Sequence, residues 1–204
     1  MIIALLGNAG SGKDAAAERI ALALPEGYTA KIALADPLKR FCKEVFDFSD
    51  EQLYGPSELR NAPDPRFRRA DGQQLSARYA LQSLGTDWGR DCYPDVWVDA
   101  AVRRAHDMET SGIRVVVIVD CRFLNEARRI RALGGEVWRV TRPGCDGAAA
   151  LAAGIAAHAS EMEQRSPEMD RYVTREIVND GTLDDLARRV GIAVLDALRR
   201  AEVK

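Results

Sequence analysis

The sequence predicts an α/β fold: a doubly wound, five-stranded parallel sheet with helices on both faces. Three observations carry that prediction. Short apolar runs such as Ile2-Ile3-Ala4-Leu5-Leu6 and Val115-Val116-Val117-Ile118-Val119 alternate with segments of helical periodicity. These runs are apolar at every position rather than at every second one, as strands buried on both faces require. The first runs into glycines and the second into Asp120, at what would be the carboxyl edge of the sheet, where open α/β folds bind ligands.

The elements follow in order. After the first strand, residues 2–6, the spacing turns helical at Lys13, with Ala16, Ile20, Ala23 and Leu24 on one side until Pro25. Residues 31–35 read as a second strand. Residues 37–46 read as a helix, with Asp36 as its N-cap and Pro37 in the first position. Between Asp47 and Gln74 the periodicity is lost: Gly55, Pro56, Pro63, Pro65 and Gly72 break the stretch, and Arg60, Arg66, Arg68 and Arg69 make it basic. A loop of that length in a compact domain is more often functional than passive. Residues 75–84 and 96–108 read as helices and residues 115–119 as the strongest strand, with Asp120 at its C-terminal end. A helix over 122–133 closes with Gly134-Gly135, and residues 136–141 form a fourth strand. An alanine-rich stretch then leads to a fifth strand at 175–178 and a closing helix over 183–200. The expectation is one domain, residues 1–204, with an acceptor-side loop region at 47–75 and a lid-like segment at about 142–170.

Composition narrows the function classes. Hydrophobic residues make up 47% and charged residues 29%, the balance of an ordinary soluble globular chain. The formal net charge of −2 provides no overall positive field for a duplex, so nucleic acid is not the expected partner, although a modified base within DNA stays open as an acceptor. Four cysteines without a CxxC pair argue against a disulfide framework or a zinc site, and two histidines exclude a His-rich metal site. Without a run of eighteen apolar residues, no membrane partner and a cytoplasmic location are expected.

Gly7-Asn8-Ala9-Gly10-Ser11-Gly12-Lys13-Asp14 fits G-x-x-x-x-G-K between the first strand and the first helix, the place and spacing of a P-loop. Glycines let successive N–H groups turn inward on phosphates, the helix N-terminus adds partial positive charge, and Lys13 neutralises the outer phosphates of ATP. Asn8, Ala9, Gly10, Ser11, Gly12, Lys13 and Asp14 are therefore the expected ATP-binding residues. The usual Ser or Thr after the lysine is Asp14, whose carboxylate would bind Mg²⁺ directly or through water, or simply complement the helix dipole. Asp120 is the second expected Mg²⁺ carboxylate, a strand-end acid close to the transferring phosphate. Arg122 and Glu126, one helical turn apart, suit a phosphate clamp and its orienting carboxylate or a sugar-hydroxyl partner; a cap and a surface ion pair are the plainer alternatives. Lys13, Asp120 and Arg122 are the expected catalytic residues.

The ordered set of motifs resembles the phage-type deoxynucleoside monophosphate kinases along nearly the whole chain. It comprises the loop ending in Lys13-Asp14, Ala35-Asp36-Pro37-Leu38-Lys39, the stretch from Arg78 to Asp87, and Trp97-Val98. Asp120-Cys121-Arg122 with Asn125-Glu126, Arg142-Pro143-Gly144, His158-Ala159-Ser160-Glu161 and the Asn179-Asp180-Gly181 turn complete it. The resemblance implies a P-loop NTPase fold and phosphoryl transfer from ATP, with Mg²⁺, to a nucleoside monophosphate. It implies that Lys39, Arg78, Gly85, Thr86, Trp97, Asp120, Arg122 and Glu126 surround the acceptor. Arg142 is a lid arginine or a surface residue, and Asn179 and Gly181 lie beside the adenine or form a plain turn. A homodimer is the default assembly, and a phage source would place the protein in the host cytoplasm. The rival acceptors are a hydroxymethylated pyrimidine in DNA and dephospho-coenzyme A; the rival class is a non-catalytic ATP-binding module.

Overall fold

The computed structural model describes residues 1–145 and 163–202. These residues group into two compact units, one formed by Met1–Leu34 with Val98–Lys204 and the other by Ala35–Trp97.

The first unit is built on a five-stranded sheet of β1 (Ile2–Leu6), β2 (Thr29–Ile32), β5 (Val115–Cys121), β6 (Glu136–Thr141) and β7 (Arg175–Val178). The strand order is β2-β5-β1-β6-β7 and every pairing is parallel. β1 lies at the centre between β5 and β6, and β2 and β7 form the edges. Ile3, Leu5, Val115, Val117, Trp138 and Val140 point to one face, where they pack with Ile20 of α1 (Lys13–Leu22) and with Leu186, Val190 and Val194 of α9 (Leu183–Glu202). Ala4, Leu6, Val116, Ile118 and Val137 alternate to the other face and are equally buried. On that side α7 (Leu124–Ala132) contacts β1 and β6 and buries Ala127 and Ile130. Burial on both faces is why these strands read as unbroken apolar runs. α6 (Val96–Thr110) buries Val98, Ala101 and Ala105, and the short α8 (Pro167–Asp170) is capped by the Ser166 hydroxyl.

Two features shape the carboxyl edge of the sheet. The register between β1 and β5 shifts from Ala4↔Ile118 to Leu6↔Cys121, so one extra residue enters β5 next to Asp120. Such a bulge re-aims side chains locally. β2 also differs from expectation: it spans Thr29–Ile32 rather than 31–35. The Leu34 N–H donates to Asp120 Oδ1 at 2.7 Å, so after Ile32 the backbone serves a side chain and not the ladder.

The second unit begins with α2 (Asp36–Phe46), whose N-cap is Ala35, one residue earlier than expected. The stretch expected as a loop between Asp47 and Gln74 is instead structured: α3 (Asp50–Tyr54), α4 (Ser57–Asn61) and β3 (Pro63–Arg68), which pairs antiparallel with β4 (Gln74–Ser76). α5 (Ala77–Gln82) starts two residues later than expected, with the Ser76 hydroxyl accepting from the Tyr79 N–H, and continues as a π-helical turn over Ser83–Arg90. Cys42, Phe48, Leu53, Leu75, Ala77 and Ala80 form its buried cluster, flanked by Phe46 and Phe67. His158-Ala159-Ser160-Glu161 and the alanine-rich stretch lie outside the described residues.

Candidate active site

The loop between β1 and α1 has the backbone a phosphate cradle requires. Gly12, the N-cap of α1, sits at φ 96°, and a Cβ there would lie 2.3 Å from Asn179 Nδ2. At Gly7, with φ 151°, a Cβ would lie 2.4 Å from the Val140 carbonyl oxygen. Neither position accepts a side chain. No side chain caps α1, which leaves its first-turn amides and the positive end of the helix dipole to an anion. The buried Ser11 hydroxyl has no hydrogen-bond partner among the described residues, so the turn also holds an unspent donor.

Lys13 folds over this turn, its Nζ donating to the Gly7 carbonyl at 2.6 Å and the Asn8 carbonyl at 2.8 Å. Burial pushes its pKa down to about 8; the Arg122 guanidinium adds to the shift, and Asp14 and Asp120 oppose it. Lys13, Asp14, Asp120 and Arg122 therefore form one electrostatic cluster drawn from the β1–α1 loop and the end of β5. Asp14 and Arg122 are exposed and Asp120 is half-buried.

The turn from β5 into α7 is held by carboxylates. Glu126 is buried, and its Oε2 accepts the N–H groups of Arg122 at 2.7 Å and Phe123 at 3.0 Å. Glu163 Oε2 accepts the Leu124 N–H at 2.8 Å. Together they satisfy amides at the α7 N-terminus that the helix itself cannot. Sequence reasoning singled out Glu126 but missed Glu163, which lies far along the chain and has no helical spacing to Arg122 that would reveal it.

Three further contacts brace the cradle. Asn8 Nδ2 donates to the Cys145 carbonyl at 2.9 Å, and Asn179 Nδ2 donates to the Ser11 carbonyl at 3.0 Å. The Asn179 N–H donates to the Thr141 carbonyl at 2.7 Å, which anchors the turn after β7 beside β6. Gly181 precedes Thr182, whose N–H and hydroxyl both donate to Asp185 Oδ2 at the start of α9. Arg142 is exposed directly after β6. A separate cavity of about 670 Å³, lined among others by Met1, His106, Glu109, Arg131 and Glu136, opens at the opposite, amino edge of the strands and contains none of these residues.

Lys39, Arg78, Gly85, Thr86 and Trp97 all belong to the unit Ala35–Trp97. Lys39 Nζ lies 4.2 Å from the centre of the Tyr54 ring. Arg78 Nη2 donates to Ser57 Oγ at 3.3 Å. Gly85 and Thr86 sit in the π-helical turn, and the Trp97 indole N–H donates to the Gly85 carbonyl at 2.8 Å. The same ring lies so close to Gly89 that a Cβ there would come within 2.3 Å of Trp97 Cζ2. Trp97 thus fastens the π-turn, a rare helical form that recurs at functional sites.

Among the described residues, no helix is long and apolar enough to cross a membrane, and no group of three or more His, Cys, Asp and Glu residues would hold a metal by itself. No protein-family model matches the chain. The crystal structure of TT1252 from Thermus thermophilus superposes with a TM-score of 0.52 at 22% identity, covering 97% of each chain, a likeness of fold. In sequence, the chain is 34% identical over 204 residues to the "Putative deoxynucleotide monophosphate kinase" of Acanthamoeba polyphaga mimivirus, covering 93% of this chain and 94% of the relative. With a P-loop at the head of a parallel sheet and that identity over nearly its whole length, the chain belongs to the deoxynucleotide monophosphate kinase family.

Proposed function

We propose that this protein transfers the γ-phosphate of ATP to a deoxynucleoside 5′-monophosphate, yielding the deoxynucleoside diphosphate and ADP. The observation that carries this reading is the Lys13 cluster: an ammonium group held over a glycine cradle, in electrostatic contact with Arg122, Asp14 and Asp120. Phosphoryl transfer asks a protein mainly to position its reactants and to meet charge on the equatorial oxygens. This cluster has the groups for both tasks.

The loop amides and Lys13 would hold the triphosphate, with Asn8 and Asn179 keeping the loop in shape through their backbone contacts. An oxygen of the acceptor phosphate attacks the γ-phosphorus as the bond to the ADP oxygen breaks. That oxygen is already ionised, so no general base is needed. Lys13 and Arg122 would meet the charge of the transferring group, and Glu126 would set Arg122 by fixing the backbone of its turn. Mg²⁺, when bound, would neutralise phosphate charge, and Asp14 and Asp120 are the hard oxygen ligands that would help to hold it.

On the acceptor side, the family resemblance assigns Lys39, Arg78, Gly85, Thr86 and Trp97. Of these, Trp97 would act by holding the Gly85-Thr86 turn through its indole N–H. Residues 47–75 and the segment after Arg142 are the proposed parts that exclude water during transfer. The acceptor would be a free mononucleotide, and a cytoplasmic homodimer is the proposed working form. An ADP-release assay across the four deoxynucleoside monophosphates and their ribose counterparts tests the reading. Acceleration by a deoxynucleoside monophosphate supports it; ADP release indifferent to every monophosphate overturns it.

A further inference from the structure

Helix α7 opens on a residue that cannot cap it. Phe123 stands at the N-cap with no oxygen in its side chain to accept a first-turn amide. Carboxylates do this instead. Glu126, within the helix, accepts the N–H groups of Arg122 and Phe123, and the next amide, that of Leu124, donates to Glu163 Oε2 at 2.8 Å. Glu163 lies 39 residues beyond Leu124, so the fold and not helical spacing brings it there. Two carboxylates thereby fix three consecutive amides, beginning at Arg122.

The backbone that carries Glu163 is itself anchored. Its carbonyl accepts the Ser166 N–H at 3.0 Å and the Ser166 hydroxyl at 2.9 Å, which closes the turn into α8. Arg139 of β6 donates through Nη2 to the Gln164 carbonyl at 3.3 Å and through Nη1 to Asp170 Oδ1 at 2.6 Å. Met169 of α8 is fully buried. The Glu163 carboxylate therefore projects from a frame built on β6, whereas Arg122 follows directly after β5. A negative charge is favoured at a helix N-terminus, and an ionised acceptor makes a shorter and stronger bond than a neutral one. The Leu124–Glu163 bond thus ties the turn that carries Arg122 to a second strand, a link that Glu126, inside the same helix, cannot make.

We propose that Glu163 is a positioning residue for phosphoryl transfer: through the Leu124 amide it fixes the backbone from which Arg122 meets the transferring phosphate. This deepens the phosphoryl-transfer reading given above and rests on it. A small displacement of a group that meets transition-state charge lowers turnover while leaving ground-state binding nearly intact. The test is a double-mutant cycle of Glu163→Ala and Arg122→Gln, with Glu163→Gln as the conservative variant. Steady-state kinetics use ATP and the deoxynucleoside monophosphate that wild type turns over fastest, and thermal melting accompanies them. Glu163→Ala is expected to lower kcat by about tenfold or more, with both KM values within about twofold of wild type. Glu163→Gln keeps an acceptor oxygen and should restore kcat to within about threefold of wild type. In the Arg122→Gln background Glu163→Ala should lower kcat no further, with any fall in melting temperature the same in both backgrounds. If Glu163→Ala does not fold, Glu163→Asp, whose carboxylate is drawn back by one methylene, carries the same cycle. An unchanged kcat in folded Glu163→Ala, an equal loss with and without Arg122, or a glutamine variant no better than the alanine one overturns the inference and leaves the kinase reading standing. A wild-type protein that phosphorylates no monophosphate overturns both.

Discussion

The two units of this protein reach order by different routes. In Met1–Leu34 with Val98–Lys204, buried strands and long helices form a continuous apolar core, and the phosphate loop is a short irregular turn fixed to that frame. In Ala35–Trp97 the elements are short and their apolar cluster is small. Polar locks hold much of it together: the Ser49 and Gln52 capping box, the Asp64–Arg66 pair, the Ser76 cap and the Trp97–Gly85 bond. A fully buried Leu, Ile or Phe contributes about 1.5–3 kcal/mol, and a charged hydrogen bond a comparable amount only while its partner remains. The difference teaches that a site residue in the first unit can be removed with little effect on the fold, whereas in the second a substitution at one of these polar locks also costs shape.

The largest expected effect tests the first half of that contrast. Lys13→Ala should reduce turnover by about 10²–10³-fold or more while the melting temperature holds, because only the cradle loses a charge. Near-normal turnover in this variant would end the assignment of Lys13; a collapsed fold would end the contrast.

A matched pair of glycine substitutions sharpens it. Gly12→Ala places a methyl group against Asn179 at a left-handed φ, so ATP affinity should fall, by about tenfold or more, with monophosphate affinity preserved. Gly89→Ala drives a methyl group into the Trp97 ring and should do the converse, weakening monophosphate binding and lowering the melting temperature. Calorimetry with each ligand on both variants reads the two effects separately. If either substitution weakens both ligands equally, the units do not divide the work in this way.

The same division explains what the sequence disclosed. β1, β6 and β7 and the long helices α6 and α9 were legible because strands buried on both faces and helices with an apolar stripe leave periodic signals. The P-loop was legible because its spacing is set by phosphate geometry. β2 was misplaced because Leu34 is as apolar as a strand residue, although its amide is directed to Asp120. The region 47–75 looked structureless because what orders it is not periodic: a buried carboxylate bound by Arg66 and Gln52, and three phenylalanines, Phe46, Phe48 and Phe67, in mutual ring contact. The π-turn left no periodic signal of its own, since its Gly85 carbonyl is engaged by an indole from another element. Glu163 was invisible for the same reason.

Asp64 offers a test of the polar locks. It is buried and takes two side-chain bonds from Arg66, one from Gln52 and one from the Arg66 N–H. The Arg66 hydrogen bonds, above all, hold its carboxyl well below the usual carboxylate range. A depressed folded pKa means that stability is present above the unfolded value, about 4, and is lost as pH falls toward the folded one. Asp64→Asn should therefore cost about 1–3 kcal/mol at neutral pH and flatten the acid limb of the stability profile. Denaturant titrations at pH 7 and pH 3 check this, and an unchanged acid limb would remove Asp64 from the account.

The smallest expected effect returns to the first unit and to one proton. The Lys13 pKa of about 8 lies below its ordinary value, so the folded protein binds fewer protons than the unfolded chain between about pH 8 and pH 10. Stability should rise with pH across that window as the buried ammonium loses its charge. ATP affinity should move the other way, because the triphosphate draws the proton back onto Nζ. From pH 7 to pH 9 the dissociation constant for ATP should grow by about tenfold, and binding at pH 8.5 should take up protons. Calorimetry in two buffers of different ionisation enthalpy measures that uptake directly. Lys13→Met should abolish both the uptake and the pH dependence, and proton-neutral binding by the wild type at pH 8.5 would show that the ammonium keeps its charge without the phosphates.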